Sequence, residues 1–153
     1  RAGVTAIRTI AQATGIPVAA VPSARALAIG VPPDSRRNGV AVVVDAFRGR
    51  VYISIFDSEG GEILPAADVS PEEAARWISE RASRPAIMGS GARRYESIFA
   101  PLGGILDREY DSPRGSMIAS LGAILPAIPF DALRPYYLRP PDVTLKKAPA
   151  GLS

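Results

Sequence analysis

Gly39-Val40-Ala41-Val42-Val43-Val44-Asp45-Ala46-Phe47-Arg48-Gly49-Arg50-Val51-Tyr52-Ile53-Ser54-Ile55-Phe56 is the stretch on which the fold turns. Residues 39–45 are an almost unbroken β-branched run, as expected of a strand covered on both faces. Ala46-Phe47-Arg48-Gly49 reads as a turn. Beyond it Val51, Ile53 and Ile55 alternate with Tyr52, Ser54 and Phe56, the period of two of a second strand. Ser58–Gly61 turns the chain again, into a third strand near Glu62–Leu64. The unit is an antiparallel meander.

Upstream, Val4, Ile7, Ile10 and Ala11 recur at helical spacing, and Gly15 followed by Pro17 stops the pattern, so a helix is expected over Ala2–Thr14. Val18–Val21 is expected to be a short buried strand. Ser23 is placed to cap a helix over 24–29, with a loop over 30–38. Downstream, Ser70-Pro71-Glu72-Glu73 is a capping box with proline at the first helical position, which starts a helix running to about Ala82. Ala86–Met88 reads as a buried strand, Gly89-Ser90-Gly91 as a tight turn, and 92–99 as a helix. A strand over 105–110 and a helix from Ser112-Pro113 to about Leu125 complete the domain. The proline-rich tail, which includes Pro140-Pro141, is expected to be extended. Mixed strands and helices around a meander indicate an α/β layered domain.

Composition narrows the chemistry. The 153 residues contain no cysteine and no histidine. Thiolate metal sites, histidine-ligated metals and Ser-His-Asp or Cys-His nucleophile systems are therefore excluded within this chain. The net charge of +3 favours an anionic partner without reaching the density of a dedicated nucleic-acid binder. The longest apolar run, 40–44, is far too short to cross a bilayer.

A few groups of residues qualify as sites. Gly89, Ser90 and Gly91, between a strand and a helix, offer backbone amides to a phosphate, although the P-loop lysine is missing. Asp45, at the end of an apolar strand, is a placed carboxylate, with Arg48 or Arg50 as the simplest partners. Asp107, Glu109 and Asp111 would share one face of a strand; a charged edge explains them better than a metal, and no metal site is assigned. Arg36-Arg37, Arg93-Arg94 and the tail residues Tyr137, Arg139, Lys146 and Lys147 supply aromatic and basic contacts suited to RNA or a partner. On the first helix Thr5, Arg8, Thr9 and Gln12 lie off the apolar stripe and form the expected partner-facing surface, while the stripe packs on the chain's own sheet.

Several of these segments together resemble a known family: the helix 1–14 closed by Thr14-Gly15-Ile16-Pro17, Val21-Pro22-Ser23-Ala24-Arg25-Ala26-Leu27-Ala28, the hairpin from Val44 to Tyr52, the Gly89-Ser90-Gly91-Ala92 turn, and Tyr137-Leu138-Arg139-Pro140-Pro141-Asp142-Val143-Thr144. The chain is similar to TsaB (formerly YeaZ), the dimerisation subunit of the bacterial machinery that makes threonylcarbamoyladenosine in tRNA. The resemblance implies an actin-like ATPase (ASKHA, ribonuclease-H-like) architecture, of which this chain holds mostly the second lobe plus a remnant of the first. Residues 1–30 would be the remnant, 31–133 the second lobe and 134–153 the tail. Family members carry an Ile-Asp-Thr-Ser-like strand and a glycine-rich turn ahead of the position matching Arg1. The implied role is non-catalytic: a cytoplasmic assembly subunit that pairs with a TsaD-like catalytic subunit and a TsaE-like ATPase, or with itself, and meets tRNA only through the complex. ATP and metal would sit on those partners. The alternatives are an ASKHA-type nucleotide-dependent transferase and a basic RNA-binding module.

Overall fold

The computed structural model describes residues 2–135, with side chains from residue 3 onward. In chain order it runs α1 (Ala2–Thr14), α2 (Ser23–Gly30), β1 (Val40–Asp45), β2 (Val51–Phe56), β3 (Glu62–Val69), α3 (Pro71–Arg81), β4 (Ala86–Met88), α4 (Ser90–Arg94), α5 (Glu96–Phe99), β5 (Gly104–Ile105), a 3₁₀ turn (Arg108–Asp111) and α6 (Gly115–Ile124). The strands form one sheet in the order β3-β2-β1-β4-β5. The meander is antiparallel, with Val42 opposite Ser54 and Val44 opposite Tyr52, while β4 and β5 continue the sheet in parallel. Three antiparallel strands extended by two parallel ones match the mixed α/β architecture that the sequence implied.

The alternation along β1 and β2 sorts side chains onto two faces. Ala41 and Val43 join Val51, Ile53, Ile55 and Ile87 beneath Ala74, Ile78, Ala92 and Phe99 from α3, α4 and α5. Val40 and Val42 face the other way, with Phe56 and Met88, against Leu27 and Ala28 of α2. Central strands therefore read as continuous apolar runs because each face has its own cover. A fully buried side chain of this size contributes about 1.5–3 kcal/mol, so these two clusters are the main source of stability.

Local signals fix the ends. Ser70 Oγ accepts from the Glu73 amide at 3.2 Å, capping α3 as its Ser-Pro-Glu-Glu start predicted. Arg36 is a tie that periodicity could not reveal. Its guanidinium donates to the carbonyls of Ile29 (2.7 Å), Val31 (3.1 Å) and Ser58 (2.8 Å), joining the end of α2 to the β2–β3 turn.

Several expectations are corrected. Residues 18–21 form no strand; Val18 makes a single bridge to Ile128, whose amide donates to its carbonyl at 2.8 Å. Pro17 and Pro22 flank this segment and can donate to no ladder. Ser23 is the first residue of α2 rather than its cap, which is Pro22. The third strand runs on to Val69; Pro65 falls in the bulged stretch between the Ile55–Leu64 and Ile53–Ala67 pairs, at the sheet edge where a missing donor is tolerated. The helix expected over 92–99 is broken into α4 and α5 at Tyr95, whose φ of −115° and ψ of 41° are not helical. The strand expected over 105–110 ends after Ile105, and 108–111 coil into the 3₁₀ turn instead. Asp107, Glu109 and Asp111 therefore do not share a strand face. The last helix starts at Gly115, with Arg114 at its cap, rather than at Ser112-Pro113.

Candidate functional site

α1 has the spacing of a packed amphipathic helix, yet its stripe is not covered by the sheet. Ala11 is 4% exposed, but Ile7 is 49% and Ile10 is 54% exposed, and neither core cluster includes a described residue of α1. This corrects the expectation that the stripe packs on the chain's own sheet. Thr5, Thr9 and Gln12 are exposed as well, and Arg8 is half-buried. Thr9 turns its hydroxyl back to the Thr5 carbonyl at 3.1 Å, so it presents a methyl as much as a hydroxyl. The helix offers water a mixed surface of two isoleucines among small polar side chains. Just past its end Ile16 is also exposed.

The second arrangement joins the β1–β2 turn to the glycine turn after β4. Gly89 has φ 107° and ψ 166°, a backbone region nearly reserved for glycine. It lets the chain pass so close to β1 that a Cβ on Gly89 would stand 2.3 Å from the Val43 carbonyl oxygen. Gly91 packs against the same strand, with its Cβ position 3.0 Å from the Asp45 nitrogen. This close approach delivers Ser90 Oγ to the Asp45 amide, from which it accepts at 3.1 Å, and brings Arg94 to the Asp45 carboxylate at 3.0 Å. The carboxylate's other oxygen accepts from the Phe47 amide at 3.0 Å. Asp45 is thus paired from across the sheet by Arg94. Arg50 pairs instead with Asp68, at 2.6 Å.

On the opposite side of the glycine turn the Gly89 amide donates to Asp111 Oδ1 at 3.1 Å, and Asp111 pairs with Arg93, which also donates to the Leu106 carbonyl at 3.1 Å. Burial lowers the Arg93 pKa, Arg108 adds to the lowering and Asp107 opposes it. A guanidinium remains charged at any accessible pH all the same. Gly89, Ser90, Gly91 and Asp45 are therefore brought together, with the Gly89 amide engaged by Asp111, the Ser90 hydroxyl by the Asp45 amide, and the Asp45 carboxylate by Arg94 and the Phe47 amide. α4, which follows, is only five residues long. Among the described residues no group of three or more acidic side chains is placed to hold a metal ion.

The β1–β2 turn carries a feature that composition and period did not flag. Phe47, Arg48 and Gly49 have φ of 59°, 53° and 74° in succession. Phe47 is 70% exposed. A large aromatic in a turn position that suits glycine or asparagine is the one sequence-level signal that was available. Tyr137, Arg139, Lys146 and Lys147 lie outside the described residues.

No family model and no curated protein matches the chain. Among solved structures it is similar to an uncharacterised protein with similarity to peptidase YeaZ from Pseudomonas aeruginosa, at 25% identity and a TM-score of 0.69, over 90% of this chain and 66% of that one. It is also similar to YeaZ from Pseudomonas aeruginosa, at 19% identity and a TM-score of 0.67, over 88% of this chain and 66% of that one. The chain thus spans just under two thirds of the length of each. At these identities the likeness is one of fold, and it agrees with the resemblance to TsaB carried by the hairpin and the glycine turn.

Proposed function

We propose, from the premise that this chain has the fold of YeaZ, that it is an assembly subunit whose partner-facing element is α1. The observation that carries the reading is the uncovered stripe: Ile7 and Ile10 stand in water beside Thr5, Thr9 and Gln12 on a helix that joins neither core. A helix gains most of its stability from burying an apolar face, so one that shows that face to solvent suits a second helix packed along it. The partner of this reading is a TsaD-like catalytic subunit, with a TsaE-like ATPase joining the assembly or a second copy of the chain taking the same face. The reaction served is threonylcarbamoyl transfer to the adenosine beside the anticodon of tRNA, in the cytoplasm, with ATP and metal on the partners. With no imidazole and no thiol in the chain, the subunit's contribution is a shaped surface and not a reacting group.

The test is calorimetric titration of the protein into a TsaD-like subunit, wild type against Ile7→Glu/Ile10→Glu. Two charges in the contact are expected to abolish measurable heat while thermal stability changes little, because both positions are already half in water. Equal affinity for the two proteins would end the assignment of α1. Against the transferase alternative, the Gly89 amide and the Asp45 carboxylate are already engaged by Asp111 and Arg94.

A further inference from the structure

The tip of the β1–β2 hairpin is held in an unfavourable shape, and held firmly. An L-residue in the left-handed region costs roughly 1–2 kcal/mol, and here two non-glycine residues occupy it side by side. The surrounding bonds fix this shape: Ala46 donates to the Arg50 carbonyl at 3.0 Å, Arg50 to the Phe47 carbonyl at 3.1 Å, and Phe47 to Asp45 Oδ1 at 3.0 Å. The side chain displayed by all this is a phenylalanine, 70% exposed. Backbone strain maintained by its surroundings clusters where a surface is used.

The charges around Phe47 indicate what it meets. Arg94 shares the Asp45 carboxylate with the Phe47 amide, and its guanidinium also lies over the Tyr95 ring at 5.8 Å. The Arg94 side chain is 55% exposed while that of Asp45 is 11% exposed. Arg50 and Asp68 repeat the pattern at 44% and 14%. In both pairs the carboxylate is sunk against the sheet and the guanidinium is turned outward, and Arg48 is exposed at the tip itself. The guanidinium is thus the more exposed member of each pair, on a chain whose net charge is positive. An exposed aromatic on a turn that also carries Arg48 and Arg50, and whose backbone shares the Asp45 carboxylate with Arg94, has the chemistry that stacks a base and binds the phosphates beside it.

We propose that this tip binds an unpaired nucleobase with its flanking phosphates, as a single-stranded RNA presents them: Phe47 stacks on the base, and Arg48, Arg50 and Arg94 face the backbone. The site does not depend on α1 or on any partner subunit, so it stands or falls separately from the assembly reading.

The experiment is fluorescence anisotropy of labelled single-stranded RNA of about twelve nucleotides, enough for a site of this kind, titrated with the isolated protein at low salt. The same RNA as a duplex and a DNA strand of equal sequence serve as comparisons. Single strands are expected to bind more tightly than the duplex. Preference for RNA over DNA assigns the source to RNA; equal binding keeps the base-and-phosphate site and makes it blind to the sugar. Phe47→Leu is expected to lose at least about five-fold in affinity, the low end for one stacked base, whereas Phe47→Trp keeps it. Arg94→Ala is expected to flatten the slope of log affinity against log salt by about 0.7. Melting curves of both Phe47 variants near the wild type would show that the loss is not one of folding. The proposal is overturned if wild type fails to bind the single strand, if the duplex binds as well, or if Phe47→Leu matches wild type. It is equally overturned if the substitution removes a protein partner and leaves RNA binding intact.

Discussion

Replacing Gly89 by alanine, with Gly49→Ala as its control, separates two costs that the backbone angles alone do not distinguish. Both glycines have positive φ, 74° at Gly49 and 107° at Gly89. A Cβ at Gly49 meets nothing within 4 Å, so only the backbone strain is felt. That strain is roughly 1–2 kcal/mol, offset in part by the stiffer unfolded chain, for a net of about 1 kcal/mol. At Gly89 the conformation itself costs about 1–3 kcal/mol. Its Cβ would also fall 2.3 Å from the oxygen and 2.9 Å from the carbon of the Val43 carbonyl. Val43 is fixed in a central strand opposite Ile53 and cannot retreat, so overpacking adds about 1–3 kcal/mol. The sum is about 2–5 kcal/mol net, or a fall in Tm of about 4–20 °C for a domain of this size, against about 2–4 °C for Gly49→Ala. Thermal melts followed by far-ultraviolet circular dichroism read the difference directly. If the two variants melt within a few degrees of each other, the close approach of the glycine turn to β1 is not what holds this part of the fold.

Ser70→Ala removes the cap of α3 and is expected to cost about 1 kcal/mol in urea unfolding, with the slope unchanged. Arg36→Met leaves the carbonyls of Ile29, Val31 and Ser58 without their shared donor; a loss of about 2–3 kcal/mol is expected, and hydrogen exchange should quicken first at the end of α2 and in the β2–β3 turn. Arg50→Ala takes the guanidinium from Asp68, whose side chain is only 14% exposed, and from the Asp68 carbonyl, so a loss of about 1–3 kcal/mol is expected in urea unfolding.

How much of the molecule was legible depended on how local its causes are. The hairpin could be read because period, turn residues and β-branching all lie within one short stretch, and α3 because its cap and first turn adjoin. The true length of β3 was hidden by Pro65, which argues against a strand until an edge position and a bulge make it harmless. Over 107–111 only Tyr110 packs against the core, too little apolar surface to hold a strand on the sheet, so the chain coils instead. The pairing of Asp45 with Arg94 joins residues far apart in sequence, and nothing local chooses Arg94 over Arg48 or Arg50. The exposure of Ile7 and Ile10 is a tertiary fact of the same kind. A helical stripe says that a face is apolar and not what covers it. Phe47 lies in a turn that the sequence indicates, but nothing local says that its side chain stands in water.

The mixed sheet also sets an order of events during folding. The antiparallel strands meet through short turns, whereas Val40 must find Ala86 before β4 can join. Closing a loop of about 45 residues costs roughly 2 kcal/mol more in chain entropy than closing a four-residue turn. The meander should therefore be the nucleus, with the parallel pair zipped on after the rate-limiting step. Truncations in β1 and β2 would then slow refolding, while Ile87→Val would mainly speed unfolding.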